Sequence, residues 1–250
     1  MSSESSELRQ DSRQAKVPTV ALLTICTGKY EVFLDQFLTS FRENFAPGHV
    51  RTFFVFGDSK RIGSDVKNVW QEKLGWPLDT MMRFQMFNSI SAEIARHDFV
   101  YFMNVNLCCE TKVDAEEVFP TQGDGLMGVI HPGYYATPLS QLPYERRPSS
   151  CLCLPADAGR YYFQGCMIGG KSEKFLEMSL VLADMINRDL SNGIVPVWHD
   201  ESAMNWYYSS RNIMTLPPSF AFPENTKLPF PRRVVQLDKS RFGGHLYLRG

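Results

Sequence analysis

The sequence carries no excess of charge of either sign: 26 Lys and Arg stand against 27 Asp and Glu, a net charge of −1. That balance excludes the long-range field by which a protein collects nucleic acid or an anionic membrane. Long apolar runs are also missing. The first one, Val20–Ile25, falls far short of the roughly 20 residues that span a bilayer, and no cleavage signal follows it. The six cysteines, Cys26, Cys108, Cys109, Cys151, Cys153 and Cys166, include no C-x-x-C hook, which argues against a structural zinc site. The adjacent Cys108 and Cys109 would point to opposite faces of a strand, which suits packing rather than a disulfide. The expectation is a soluble, cytoplasmic protein with reduced thiols and no transmembrane anchor. No internal repeat stands out, and the polar residues 1–17 read as a disordered segment.

What the chain does have is alternation. Thr19–Cys26 is a short apolar run of strand type, ended by the turn residues Thr27, Gly28 and Lys29. Phe33, Leu34, Phe37, Leu38, Phe41 and Phe45 then recur at helical spacing. A second strand, Thr52–Phe56, stops at Gly57-Asp58. Asp79 to Arg96 reads as one helix with Asp79 as its N-cap, and Phe99–Met103 as a third buried strand. This order predicts an α/β fold with a mostly parallel sheet, whose ligands sit at the carboxyl ends of the strands. Cys26–Tyr30, Asp58 and Asn104–Asn106 are thereby placed on one rim. Further strands are expected at Gly125–Ile130 and Arg160–Ile168, and helices at Ser172–Arg188 and Asp200–Ser210. Pro217–Gly250 has five prolines and reads as a flexible, basic tail that closes over something rather than a core element. Residues 18–250 are read as a single domain.

Several short segments carry chemistry. Trp198-His199-Asp200-Glu201 sets a flat aromatic beside two carboxylates at a helix start. Acidic residues favour helix N-termini for purely structural reasons, yet a sugar site uses the same combination. Asn104-Val105-Asn106 places two side chains on one side of a strand end; with Asp in both places this would bind a divalent cation, whereas Asn is a weak ligand for one. Tyr144-Glu145-Arg146-Arg147 is either a solvated charge cluster or a brace for an active-site loop. Gly169-Gly170 marks a strand that another backbone or a ligand approaches closely. Lys239, Arg241, His245 and Arg249 make the tail basic.

Taken in order, TICTGKY, LGWPLDTMMRFQMF, FMNVNL, HPGYY, YERRPSS, GRYYFQGCMIGG and WHDESAMNWYY resemble the retaining α-1,3-galactosyl and N-acetylgalactosaminyl transferases of the ABO blood-group type, glycosyltransferase family 6. Asn-Val-Asn, where the animal enzymes have Asp-Val-Asp, and the DKSRFGGHLYLR tail resemble the bacterial branch. The resemblance implies a GT-A fold, with a Rossmann-like nucleotide-binding lobe merged with an acceptor-binding lobe and a C-terminal basic lid. It implies that Ile25, Cys26, Thr27 and Tyr30 line a uridine pocket, and that Arg83 and Asp200 contact the donor. Asn104 and Asn106 hold the metal-motif positions, and Gln164, Gly165 and Cys166 match the triplet that selects the donor sugar. His131, Trp198 and Glu201 match acceptor positions; Glu201 is also the catalytic carboxylate, and Lys239 and Arg249 hold the diphosphate. The implied donor is UDP-galactose or UDP-N-acetylgalactosamine, with the size of Cys166 favouring galactose, and the implied acceptor is a galactoside glycan. No cofactor is implied, and manganese is not required. Pro143, in place of the family's Thr, and Pro223-Glu224, in place of an acidic end, depart from the pattern on the acceptor side. Two other readings compete: a metal hydrolase using His199, Asp200 and Glu201 with His131 or His245, and a UDP-sugar or glycan binder without catalysis.

Overall fold

The computed structural model describes residues 16–58, 60–61 and 63–250. Most of the segment expected to be disordered, residues 1–15, therefore lies outside the described residues. The first half contains β1 (Thr19–Ile25), α1 (Leu34–Asn44), β2 (Val50–Gly57), β3 (Val66–Trp70), α2 (Leu78–Met81), α3 (Arg83–Ser89), α4 (Ser91–Ile94), β4 (Phe99–Met103), β5 (Leu107–Cys109) and α5 (Ala115–Val118). The second contains β6 (Leu126–Ile130), β7 (Phe163–Lys171), α6 (Ser172–Ser191), α7 (Asp200–Tyr208), β8 (Met214–Leu216), β9 (Phe222–Pro223), β10 (Val234–Gln236) and α8 (Gly244–Arg249).

The fold is mixed α/β. Seven strands form one sheet in the order β3-β2-β1-β4-β7-β6-β8. Strands β3, β2, β1 and β4 are parallel, β7 pairs antiparallel with both β4 and β6, and β8 is parallel to β6. The continuous apolar run of β1 follows from this position, because both of its faces are covered. Val20 and Leu22 enter a core layer with α1, while Ala21 and Leu23 enter another with α3, α6 and α7. Helix α1 buries Leu34, Phe37, Leu38 and Phe41 as their spacing predicts. A 3₁₀ turn, Gly28–Phe33, precedes it.

Three expectations need correction. The helix expected from Asp79 to Arg96 is three short helices, because the backbone leaves helical geometry at Met82 (ψ 10°) and Ile90 (φ −121°, ψ 28°). Asp79 is not the cap; its carboxylate accepts the Leu74 N–H at 2.7 Å. Strand β3 went unrecognised because it is an edge strand whose Lys67, Asn68 and Trp70 face solvent, so no apolar pattern reports it. The tail does enter the core. Strand β10 pairs with β5 and β9 in a second sheet, and Val234, Val235 and Leu248 are fully buried.

All six cysteines are free. Among the described residues, no helix is long and apolar enough to cross a membrane. The close approach expected at Gly169 is made by β4: a Cβ there would overlap the ring of Tyr101 and the carbonyl oxygen of Val100. Gly169→Ala should therefore cost about 1–3 kcal/mol of stability, measured as a lowered urea midpoint at unchanged slope.

Candidate active site

Strands β1 and β4 end side by side, and a cavity of about 110 Å³ opens at their carboxyl ends. Ile25, Thr27 and Tyr30 line it from β1 and the turn after it, and Asn104, Val105 and Asn106 from the end of β4. Trp76, Asp79, Thr80 and Arg83 close one side, and Lys239 and Arg249 reach in from the tail. Cys26 and Asp58, expected on the same rim, serve the walls instead. The Cys26 side chain is buried in the core, and the Asp58 carboxylate accepts the Gly28 N–H at 3.0 Å, holding the turn.

The two asparagines are not equivalent. Asn104 uses its backbone N–H on the Cys166 carbonyl at 2.8 Å. Asn106 is buried, and its side-chain amide donates to the Leu237 carbonyl at 3.2 Å, while Leu237 N–H donates to the Asn106 carbonyl at 2.9 Å. An Asp at position 106 could not donate to that carbonyl, so the neutral side chain here docks the tail.

Arg83 is the junction of the site. Its guanidinium donates to the carbonyls of Thr80 and Gly165 at 3.0 and 2.6 Å and pairs with Asp200 at 2.9 Å. It also lies 4.4 Å from the centre of the Phe102 ring. Asp200 is buried and turned to Arg83, and it does not itself line the cavity. Burial pushes the Asp200 carboxyl upward against the pull of Arg83. Glu201, next along α7, accepts the Gly165 N–H at 2.8 Å and the Tyr162 hydroxyl at 3.3 Å. Burial first, and then the Asp200 carboxylate, raise it to about 7.

A bulge makes this geometry available. The β6–β7 register jumps from Gly128↔Ile168 to Val129↔Gln164, which leaves Gly165, Cys166 and Met167 without partners on β6. The released N–H and C=O of Gly165 turn to Glu201 and Arg83. A Cβ at Gly165 would come within 2.7 Å of an Asp200 carboxylate oxygen. Cys166 sits in the core at 2 % exposure, and Gln164 faces Gln236 of the tail; neither lines the cavity.

On the other side of Glu201, the Tyr162 ring lies 5.9 Å from that of His131 and 5.3 Å from that of Tyr134. His131 Nδ1 accepts the Gly133 N–H at 3.0 Å, and burial lowers the imidazole to about 4, so it is neutral. Trp198 stands outside the cavity, 46 % exposed, with its N–H on the Ser202 hydroxyl. His199 adopts φ 52°, ψ −120°, a costly conformation for a residue with a side chain, and its ring meets Trp76 edge-on at 5.0 Å. His199, Asp200 and Glu201 thus diverge onto three different partners, which removes the arrangement a metal hydrolase would need.

Glu145 is a brace. Its carboxylate takes the Arg147 guanidinium and the N–H groups of Arg147 and Val197. Burial opposes ionisation, but these donors prevail and hold the carboxyl at about 2. The loop at 145–147 is thereby tied to the segment that leads into Trp198.

The tail is packed rather than solvated. Phe242 meets Phe33 at 4.5 Å, the Arg249 guanidinium lies 4.6 Å over Trp76, and Lys239 Nζ is 5.3 Å from the Tyr30 ring. Burial, followed by repulsion from Arg249, lowers Lys239 to about 8. His245 is mostly exposed, with burial as the main cause of its lowered value.

The comparison with known families decides what this arrangement belongs to: the model of glycosyltransferase family 6 matches residues 4–241. The chain belongs to glycosyltransferase family 6. An O-antigen biosynthesis glycosyltransferase, WbnI, from Escherichia coli is 30% identical over 228 residues, covering 89% of this chain and 95% of its own length. A globoside alpha-1,3-N-acetylgalactosaminyltransferase 1 from Gallus gallus is 30% identical over 237 residues, covering 89% of this chain and 68% of its own. A histo-blood group ABO system transferase 1 from Rattus norvegicus is 30% identical over 204 residues, covering 76% of this chain and 56% of its own. Glycosyl transfer from a sugar nucleotide is therefore the activity class of this family 6 member.

Trp76, Thr80 and Tyr162 were missed as site residues. Trp76 lies in a segment quoted for the resemblance, but nothing in its spacing marks it; it joins the site only because Arg249 and His199 come to its ring. Tyr162 reads as one more strand aromatic until its hydroxyl is seen on Glu201.

The raised Glu201 carboxyl carries a stability signature. Between pH 4.5, its ordinary value, and about 7, the unfolded chain ionises this group while the folded protein keeps it protonated. Its contribution is present below pH 4.5 and is lost as pH rises to about 7. Glu201→Gln should therefore gain stability relative to the parent across that window and hold the gain above it, as read by denaturant midpoints from pH 4 to 8.

Proposed function

We propose that this family 6 enzyme is a retaining transferase that forms an α-1,3 linkage from UDP-galactose or UDP-N-acetylgalactosamine to a galactoside, without a metal ion. The observation that carries this reading is that Lys239 and Arg249 line the same cavity as the neutral Asn104 and Asn106. Where a divalent cation would offset the charge of a diphosphate, two protein cations stand ready. On this reading the strands from β1 to β4 make a Rossmann-like nucleotide lobe, the β6–β8 region with α7 makes an acceptor lobe, and α8 is a basic lid. Residues 18–250 then form a single GT-A domain.

In this mechanism UDP lies against Ile25, Thr27 and Tyr30, with its diphosphate toward Lys239 and Arg249. As the bond between the anomeric carbon and the diphosphate breaks, negative charge grows on the departing oxygen, and the two cations stabilise it. Positive charge grows on the sugar. Glu201, held by Gly165 N–H and the Tyr162 hydroxyl, supplies the carboxylate that a retaining reaction needs near that carbon. The Arg83 charge is already matched by Asp200, so Arg83 orients Gly165 and the donor more than it neutralises phosphate. Neutral His131 and exposed Trp198 flank Glu201 on the acceptor side. The neutral asparagine pair also suits a binding protein without catalysis, and donor binding with no transfer to any galactoside would favour that second reading.

Transfer to lactose or 2′-fucosyllactose should persist in excess EDTA, and added manganese should leave it unchanged. Lys239→Ala should lower kcat by about 100-fold or more under the same conditions. Dependence on manganese, or full activity of Lys239→Ala, would overturn the metal-free reading.

The pH profile of kcat/KM should be bell-shaped. Its acid limb follows ionisation of Glu201 near 7, and its alkaline limb follows loss of the Lys239 proton near 8. Lys239→Arg should abolish the alkaline limb in the measured range, while leaving the acid limb in place.

A further inference from the structure

The cavity at the ends of β1 and β4 is lined by Lys239 and Arg249 of the tail and by Arg83, which is already matched by Asp200. Among the described residues that line it, Asp79 is the one carboxylate. Its charge would repel a diphosphate that came within a few ångströms, so its place there calls for a different partner. The side chain is also fixed. Oδ1 accepts the Leu74 N–H at 2.7 Å, and the backbone N–H of Asp79 donates to the Gly75 carbonyl at 2.9 Å. Both ends of the residue are thereby tied to the turn that precedes α2. The second oxygen, Oδ2, accepts no hydrogen bond from the described residues. An ionised carboxylate can only accept, so Oδ2 is left for a donor that the ligand supplies.

The donors a sugar nucleotide offers to a carboxylate are its hydroxyls, on the ribose and on the hexose. In dinucleotide-binding folds an acidic side chain takes the ribose hydroxyl, close to phosphates that other groups hold. Position favours the ribose here as well. The Asp79 charge is felt at the Tyr30 hydroxyl, on the wall against which the uridine lies, where Arg249 also donates. We infer that Asp79 reads the ribose of the sugar nucleotide: Oδ2 accepts one of its two hydroxyls, which selects ribonucleotides over deoxyribonucleotides, while the carboxylate charge keeps the phosphates toward Lys239 and Arg249. This rests on the proposed UDP-sugar donor.

The test is calorimetric binding of UDP, 2′-deoxy-UDP, 3′-deoxy-UDP and UDP-galactose to the full chain and to its Asp79→Asn and Asp79→Ala variants. The parent should bind one of the two deoxy forms about tenfold or more weakly than UDP, the worth of a hydrogen bond to a charged group. That gap should shrink to about threefold or less in both variants. Comparing ratios cancels the general gain from removing a negative charge beside a diphosphate. Asp79→Asn keeps the Leu74 contact, because only its amide oxygen can accept there, so it tests the ribose contact with the turn intact. A parent that binds UDP and both deoxy forms alike, or a gap that survives in Asp79→Asn, would overturn the inference and leave the proposed function standing. Variants that keep the ribose gap but lose the difference between UDP-galactose and UDP would also overturn it, by moving the contact to the hexose. A parent that binds no UDP at all would instead remove the functional reading itself.

Discussion

The β-bulge at Gly165–Met167 is the constraint on which the site depends. In an unbroken ladder the N–H and C=O of Gly165 would be spent on β6. The register jump opposite Val129 releases both groups, and they join Glu201 and Arg83 through one residue. Glycine is needed because a Cβ would collide with Asp200. One irregularity in one strand thus brings the carboxylate of α7 and the guanidinium of α3 to a common point.

Around that point lies a buried ion pair. Taking Arg83 and Asp200 out of water is costly, and the pair is tolerable because the remaining Arg83 donors find the carbonyls of Thr80 and Gly165. Losing one partner of such a pair costs about 3–5 kcal/mol, because the other charge is stranded. The donors at each site explain the unlike behaviour of three carboxylates. Glu145, surrounded by N–H donors, is held at about 2, whereas Glu201, beside another carboxylate and with fewer donors, rises to about 7. Asp200 also rises, restrained by Arg83.

The tail links the chemistry to the fold. It adds two strands to a small sheet, buries Leu248, sets Phe242 edge-on against Phe33 and lays Arg249 over Trp76. Asn106 holds it through an amide that an aspartate could not replace. The cations that face the cavity are consequently tied to the same segment whose docking completes it.

Sequence alone determined the elements whose pattern is local. The buried β1 and β4 runs, the phenylalanine face of α1 and the long α6 were legible because apolar periodicity reports burial directly. The quoted motifs carried the family; from them Ile25, Thr27, Tyr30, Arg83, Asn104 and Asn106 line one cavity, whereas Cys26, Gln164 and Cys166 do not. Three things were decided only in three dimensions. The 79–96 segment breaks into three helices at the non-helical backbone of Met82 and Ile90, which no apolar spacing marks. The edge strand β3 is held by backbone bonds to β2, which leave no side-chain signature. The partners of Glu201, Asn106 and Gln164 lie 36 to 131 residues away along the chain, so their roles arose only when folding brought Gly165, Leu237 and Gln236 beside them.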